Sequence, residues 1–194
     1  MKVLVACEFS GIVREAFAKR GHDAWSCDLL ESEKPGKHIQ GDVLEILDRG
    51  WDLMIAHPPC TYLCRQGARW FGHPKHPNRG HLRLEAVIFF KSLYYAKGID
   101  RIAIENPVGY MNSHWSKPNQ IIQPWQFGHD YSKRTCLWLV GLPKLQPTKI
   151  VELTYVTTSN GKRFTRGWYG MPRKSKDRSR TFPGIANAMA EQWG

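Results

Sequence analysis

The chain has 194 residues, of which 42% are hydrophobic and 12% aromatic, and its formal net charge is +11 at pH 7. This composition excludes an intrinsically disordered chain and provides enough apolar surface for one domain with its own core. The apolar runs are too short to cross a bilayer, so no membrane partner is expected. The excess of positive charge favours a polyanionic partner, most simply nucleic acid.

The amino-terminal half predicts alternating strands and helices. Lys2–Cys7 contains a continuous apolar run that is typical of a strand buried on both faces. Ile12–Arg20 has apolar residues at helical spacing, and further strands are expected at Asp23–Cys27 and Asp52–Ala56. With a short helix at Val43–Asp48, this alternation predicts a mostly parallel, twisted α/β sheet that has helices on both faces.

The carboxyl-terminal half continues the pattern after a long loop. Thr61–Gly80 is rich in His, Pro, Gly and Arg, and loops of this length are often functional lids. A helix is expected at Leu82–Ala96 and a strand at Arg101–Glu105. Cys136–Val140 predicts an antiparallel edge strand, and Ile185–Trp193 a closing helix.

Two features bear on the cellular compartment. Glu8 interrupts the first apolar stretch and no cleavage site follows it, so this stretch is interpreted as a strand rather than a signal peptide. The chain has five cysteines, an odd number without a CxxC pair, which argues against a disulfide framework. We therefore expect a cytoplasmic protein of a bacterial or phage-infected cell.

A basic, aromatic region near the carboxyl terminus predicts contact with nucleic acid. Asn160-Gly161 is a hairpin signal between the predicted strands Ile150–Thr158 and Arg163–Trp168. Interleaved cations and rings suit phosphate contacts and base stacking. We expect a single domain over residues 1–194, in which residues 145–179 form a small basic β-hairpin appendage. The predicted nucleic-acid contacts are Arg65, Arg69, Lys162, Arg163, Arg166, Trp168, Arg173 and Lys174.

Two predicted strands end in residues that can do chemistry. One runs into Pro58-Pro59-Cys60, and the other ends in Glu105-Asn106-Pro107. Because parallel strands present their carboxyl ends at one edge of a sheet, these residues are expected to face one crevice. A thiol beside a carboxyl group favours covalent catalysis on an electrophilic ring. The simpler alternative is an ordinary buried cysteine at position 60.

A zinc site is a second alternative for the same region. Its ligands would come from His57, Cys60, Cys64, His73 and His76. Their spacing fits no standard zinc pattern, so no metal is expected.

Read in chain order, these segments resemble the DNA cytosine-5 methyltransferase family, in a small, phage-like version. The matching motifs are Phe9-Ser10-Gly11, Asp28, Gly41-Asp42-Val43, Pro59-Cys60, Glu105-Asn106, Phe127–Gly141 and Thr181–Met189. The resemblance spans almost the whole chain, and it depends on the shared order of the motifs more than on any one of them. It implies a Rossmann-like fold that uses S-adenosylmethionine.

The resemblance also implies a role for each matching residue. The cofactor would be bound by Phe9, Ser10, Gly11, Asp28, Asp42, Pro58 and Asn187, and the catalytic residues would be Cys60, Glu105, Asn106 and Arg134. Cys60, with a thiol partly ionised near neutral pH, would attack cytosine C6. Glu105 would act at ring nitrogen N3 as a carboxylic acid with a raised pKa. Asn106 would fix Glu105, and Arg134 would contact the base or its sugar-phosphate.

The chain departs from the family at several positions. Val13 or Arg14 replaces the second glycine of the cofactor loop, His57 stands before the proline pair, and Cys136 replaces an arginine. The large target-recognition domain is absent, which implies short or relaxed sequence specificity. Chemistry on a base requires that the base be flipped out of the duplex or lie in a single strand. Trp70 and Phe71 either close over such a base or are packing residues of the loop.

Several alternatives follow from these departures. The same chemistry could act on RNA, single-stranded DNA or a free cytosine nucleotide, although the charge favours a polymer. Amino-group methylation is less well matched, because Cys60 stands where those enzymes carry an aromatic residue. A catalytically degenerate nucleic-acid-binding module is the non-enzyme alternative. We expect a monomer or a weak dimer.

Overall fold

The apolar runs of the sequence form the centre of a seven-stranded sheet in the computed structural model, which describes residues 1–170 and 175–194. The sheet strands are β1 (Lys2–Ala6), β2 (Asp23–Asp28), β3 (His38–Gln40), β4 (Leu53–Ala56), β5 (Ile102–Pro107), β6 (Gln120–Ile122) and β7 (Thr135–Val140). The helices are α1 (Ile12–Ala18), α2 (Arg79–Tyr94), α3 (Tyr110–His114), α4 (Arg166–Gly170), α5 (Ser175–Ser179) and α6 (Pro183–Trp193). Short 3₁₀ segments occupy Val43–Ile46, Arg65–Trp70 and Pro124–Gln126.

The strand order is β3-β2-β1-β4-β5-β7-β6. β7 runs in the direction opposite to the other six strands, which are parallel to one another. The predicted parallel sheet is therefore confirmed. The expectation of an edge strand at Cys136–Val140 is wrong, because β7 lies between β5 and β6. β6 has three residues, too few for a sequence period, and it covers the edge that β7 would otherwise leave exposed.

Helices cover both faces of the sheet, as expected from the alternation of strands and helices. Alternate residues of β1 point to opposite faces. Val3 and Val5 pack in a core with Phe17 of α1 and Trp193 of α6, whereas Leu4 and Ala6 belong to a second core, which α2 covers. Since α6 packs against α1, the end of the chain returns beside the first strand.

Arg14 explains one departure from the family pattern. Its side chain is only 1% exposed, and its guanidinium donates to Ser26 Oγ at 3.0 Å and to the carbonyl oxygens of Lys34 and Pro35 at 3.1 and 2.9 Å. A buried charge is tolerated only when its donors are satisfied in this way. Arg14 therefore fixes the connection between β2 and β3, a role that a glycine could not fill.

The predicted hairpin is present but shorter than expected. Its strands are β8 (Tyr155–Thr157) and β9 (Arg163–Thr165), and they form a separate two-stranded sheet. Arg166–Gly170, predicted to continue the strand, is instead helix α4. Asp130 accepts hydrogen bonds from the backbone and the hydroxyl of Thr154, which attach the hairpin to the segment before β7. Among the helices of the described residues, none is long and apolar enough to span a membrane.

Candidate active site

The carboxyl ends of β4 and β5 lie side by side, as the two sequence motifs require. The strands pair in parallel, with Ala56 opposite Ile104. Two residues further along β5, Asn106 is 2% exposed and donates from Nδ2 to the carbonyl oxygen of Pro58 at 2.8 Å. This bond ties the strand that carries Glu105 to the loop that carries Cys60.

A second contact holds the Cys60 loop in place. The backbone N–H groups of Leu63 and Cys64 donate to the Cys60 carbonyl oxygen at 3.0 and 2.8 Å, which folds the loop into a tight turn. Leu63 in turn accepts from the N–H of Tyr110 at 2.7 Å. A side chain at Gly109 would overlap the Leu63 carbonyl oxygen, so this close approach requires glycine.

His57 and Glu105 form a hydrogen-bonded pair between the two strand ends. His57 Nδ1 lies 2.9 Å from Glu105 Oε2, and the side chains are 11% and 17% exposed. An ionised carboxylate only accepts, so Nδ1 carries the hydrogen of this bond. The other ring nitrogen, Nε2, is buried and has no hydrogen-bond partner among the described residues.

The pKa of Glu105 runs against the expectation from sequence. Burial by itself would raise this pKa, but the hydrogen bond from His57 and the positive charge of Lys133 together lower it below its usual value. The expected raised pKa is therefore wrong for the protein by itself. Glu105 is held as a carboxylate until another group provides a proton.

The Cys60 thiol is also perturbed. Burial, followed by the neighbouring Cys64 and Glu105, raises its pKa to about 11, whereas Lys133 acts in the opposite direction. The expected partial ionisation near neutral pH is therefore wrong for the protein by itself. The reaction requires the thiolate form of Cys60. Lys133 is the nearby cation that favours this form.

Lys133 is the site residue that sequence reasoning missed. It shares a cavity with Glu105, and its Nζ donates to the carbonyl oxygen of Arg178 at 3.2 Å. Arg134, the predicted contact to the base, is exposed and its role stays a prediction. Of these two neighbours, Lys133 lines the cavity and Arg134 does not. The cavity is lined by Glu105, Lys133, Thr135, Arg180, Thr181, Phe182, Ile185 and Met189.

Two predicted cofactor ligands lie at the same edge of the sheet. Asp28 ends β2 and Asp42 precedes the 3₁₀ turn, where its Oδ1 accepts from the Leu44 N–H at 3.0 Å. After burial, both carboxylates contribute to raising the pKa of Cys7 and of Cys27, whose value rises to about 11. The two acids therefore lie near one region beside the end of β1, and their cofactor role stays a prediction.

Hydrogen bonds to the Glu8 carboxylate hold the Phe9-Ser10-Gly11 loop against the start of α1. The Glu8 carboxylate accepts from the N–H groups of Val13 and Arg14 at 2.7 and 3.1 Å, at the start of α1. Gly11 has a φ of 66°, and a Cβ there would lie 2.7 Å from Arg14 Nη2. Because a protein carboxylate already occupies the helix N-terminus, this loop is not a phosphate cradle. A phosphate-free cofactor fits it better.

Asn187 and Pro58, the remaining predicted cofactor residues, occupy different environments. Pro58 is buried at the end of β4. Asn187 is exposed on α6, whereas Ile185 and Met189 of that helix line the cavity. Residues two positions apart in a helix lie about 200° apart, so Asn187 is on the far side from these two. Its cofactor role stays a prediction.

The long loop after Cys60 is anchored by two arginines. The Arg83 guanidinium lies 3.2 Å from the ring centroid of Phe71 and 4.5 Å from that of Tyr110, and Arg79 donates to the Thr61 carbonyl oxygen at 3.2 Å. The Phe71 ring therefore packs against the Arg83 guanidinium. The predicted nucleic-acid contacts Arg65 and Arg69 are exposed on this loop.

The histidines of the loop pack against an aromatic ring. The ring centroids of His73 and His76 lie 5.2 and 5.1 Å from that of Trp70. Trp70 therefore has packing contacts within the loop, and its proposed contact with a flipped base stays a prediction. Within residues 1–170 and 175–194, no group of three or more His, Cys, Asp or Glu side chains is arranged to hold a metal ion.

The hairpin presents cations and rings together, in line with its predicted role. Trp168 is 39% exposed and stacks on Phe164, with ring centroids 4.5 Å apart and planes at 12°. The Arg163 guanidinium lies 4.0 Å from the Tyr155 ring centroid, and Lys162 and Arg166 are exposed. Arg173 and Lys174 lie outside the described residues.

Comparison with known proteins shows that the fold resembles that of a solved methyltransferase. No protein-family model matches the sequence, and no curated protein matches it. The solved structure of the Entamoeba histolytica methyltransferase EhMeth resembles it with a TM-score of 0.51 and 14% identity, over 77% of this chain and 57% of that chain. A Spodoptera frugiperda DNMT2 mutant has a TM-score of 0.42 and 17% identity, over 77% and 54%. The chain spans little more than half the length of either protein. Its likeness to the first of them shows a Rossmann-like fold.

Proposed function

We propose that the protein transfers a methyl group from S-adenosylmethionine to C5 of cytosine in DNA, through a covalent adduct between Cys60 and the base. The observation that carries this proposal is the junction of the β4 and β5 ends. Cys60 and Glu105 lie close enough that Glu105 raises the pKa of the thiol, and the Asn106 bond to Pro58 holds the two loops together. A nucleophile and a carboxyl group in one crevice are what attack on a ring carbon requires.

The chemistry assigns one task to each side chain. The Cys60 sulfur bonds to C6, which makes C5 electron-rich, and the positive charge of Lys133 favours the thiolate form of the sulfur. Glu105 donates a proton to N3 so that the ring does not accumulate negative charge. The base that later removes the C5 proton is a water molecule in this proposal.

The cofactor region fits a phosphate-free nucleoside. The carboxylates of Asp28 and Asp42 are acceptors for ribose hydroxyl and adenine amino groups, as in other nucleotide-binding α/β folds. Glu8 blocks the start of α1 to phosphate groups, which S-adenosylmethionine does not have. When bound, this cofactor supplies an electrophilic methyl group.

The charge distribution supports a polymeric substrate. The net charge of +11 and the exposed cations and rings of the hairpin match phosphates and stacked bases. The hairpin is attached through Asp130 to the segment that carries Lys133. A nucleic acid held by the hairpin would therefore lie next to the cavity.

The proposal is tested by supplying S-adenosylmethionine with a labelled methyl group to duplex DNA, single-stranded DNA, RNA and dCMP in parallel. We expect 5-methylcytosine in duplex DNA with the native protein and none with Cys60→Ala. Label in RNA alone or in dCMP alone would identify that molecule as the substrate in place of DNA. Label in N4-methylcytosine would show methylation of the amino group rather than of C5. Cofactor binding without transfer, together with binding of DNA, would favour a nucleic-acid-binding module.

A further inference from the structure

We infer that His57 carries the proton that Glu105 presents to the cytosine ring, and that it is a positioning residue of the proposed reaction. This inference rests on the proposed function. It starts from a conflict in the site: Glu105 must hold a proton in order to donate to N3, yet its surroundings keep it a carboxylate. A proton source must therefore lie within reach of this carboxyl group.

The geometry provides one. His57 Nδ1 lies 2.9 Å from Glu105 Oε2, with both side chains nearly buried. Histidine side chains hold a proton to a pH about two units higher than glutamate side chains do, so a histidine can store a proton that the carboxylate does not keep. A hydrogen bond of this length allows a proton to pass directly between the two groups.

The other ionisable groups around the pair oppose proton storage on Glu105 itself. Lys133, from the segment before β7, favours the carboxylate. Arg180, before α6, lines the same cavity, and the half-buried thiol of Cys60 and the buried thiol of Cys136 lie near Glu105. Lys133 disfavours an added proton on Glu105, whereas the Arg180 guanidinium is paired with Glu33 and Asp177. The imidazole of His57 is therefore the group in direct contact that can accept and release a proton.

The proton step balances within the pair. The Nδ1–H bond of the imidazolium breaks, and an O–H bond forms on the Glu105 carboxyl group. The imidazole is left neutral with its hydrogen on Nε2. The carboxyl O–H then donates to N3 as the Cys60 sulfur bonds to C6, and the same proton returns when the adduct breaks down.

The test compares pH profiles of single-turnover methyl transfer for the native protein and His57→Asn. Asparagine keeps an N–H donor near the position of Nδ1 but stores no proton. We expect the activity of the variant to fall from about two pH units lower than that of the native protein, so that the variant is within about threefold of the native protein near pH 4.5 and on the order of a hundredfold slower at pH 8. A uniform loss at all pH values, with an unshifted profile, would overturn the inference.

Two controls separate the proton role from structural damage. His81→Asn removes an exposed histidine that pairs with Glu85 at 3.1 Å, and it should leave the profile unchanged. In a Glu105→Gln background, which has no carboxyl group to protonate, His57→Asn should cause no further shift. A further shift in that background would contradict the transfer from His57 to Glu105.

A measurement on the free protein keeps this inference separate from the proposed function. Nuclear magnetic resonance of ¹⁵N-labelled histidine and ¹³C-labelled glutamate follows the two groups directly. We expect the ring of His57 and the carboxyl group of Glu105 to titrate with common steps, and Glu105→Gln to change the steps of His57. Independent titration would overturn the shared proton. If no acceptor is methylated by the native protein, the proposed function fails, and this titration still decides whether the pair shares a proton.

Discussion

Asn106 Nδ2 donates to the carbonyl oxygen of Pro58 at 2.8 Å, across 48 positions in the sequence. The bond is buried, and it joins the residue after Glu105 to a residue two positions before Cys60. This side-chain amide is therefore one of the contacts that fix the relative position of the two proposed reactive groups.

Asn106→Ala should disturb both stability and activity. The buried Pro58 carbonyl oxygen would lose its partner, at a cost of about 1–3 kcal/mol in the free energy of unfolding. We expect a lower denaturant midpoint and a methyl-transfer rate reduced by more than the fall in folded fraction. Asn78→Ala, at an exposed position with no side-chain capping bond, is the matched control. A rate like that of the native protein would contradict a positioning role.

Gly109→Ala should destabilise the same junction by a steric route. The new Cβ would overlap the Leu63 carbonyl oxygen, so the Cys60 loop must shift. Gly80→Ala is the control, because it lies in α2 with open space around it and alanine favours helix by about 1 kcal/mol. We expect thermal unfolding at a lower temperature for Gly109→Ala and at an equal or higher temperature for Gly80→Ala. Equal stability of the Gly109 variant would refute the close approach.

The raised pKa of Cys60 predicts a slow, pH-dependent thiol in the protein by itself. Because the thiolate is the reactive form, alkylation by iodoacetamide should rise about tenfold per pH unit through neutral pH and level off only near the pKa of about 11. Lys133→Ala should raise the pKa further, and Glu105→Gln should lower it. Mass spectrometry of the Cys60 peptide at each pH measures this. A plateau already below pH 8 would show an activated thiolate and contradict the burial argument.

The acids at the ends of β2 and before the 3₁₀ turn predict the cofactor site. Asp28→Asn and Asp42→Asn should each weaken S-adenosylmethionine binding about 10- to 100-fold, because a charge-assisted hydrogen bond contributes about 1.5–3 kcal/mol. Isothermal titration calorimetry measures the dissociation constant. Asp48→Asn, an exposed acid on the same connection, is the control. Unchanged affinity in both variants would remove these residues from the cofactor site.

The hairpin predicts a separable contribution to nucleic-acid binding. Arg163→Ala should reduce the slope of log affinity against log salt by about one, and Trp168→Ala should weaken binding to single strands by about 1–3 kcal/mol. Fluorescence anisotropy over a range of salt concentrations measures both. Lys97→Ala removes an exposed cation before the amino end of β5 and is the control. An equal effect of all three variants would indicate non-specific charge rather than a hairpin interface.

The sequence by itself determined the central strands and the chemistry at their ends. Continuous apolar runs such as Val3–Ala6 and Leu53–Ala56 occur because strands buried on both faces need no polar alternation. Motifs such as Pro59-Cys60 and Glu105-Asn106 could be placed at one edge because parallel strands share the direction of their ends. Arg14 and His57 were visible as departures, but their partners were not.

Only the tertiary structure decided what surrounds the reactive groups. The His57–Glu105 pair and the Asn106–Pro58 bond each join residues 48 positions apart, and no local pattern encodes such a distance. The pKa directions of Cys60 and Glu105 came out opposite to expectation for the same reason. A pKa depends on burial and on nearby charges such as Lys133, and these are properties of packed side chains in space rather than of their order along the chain.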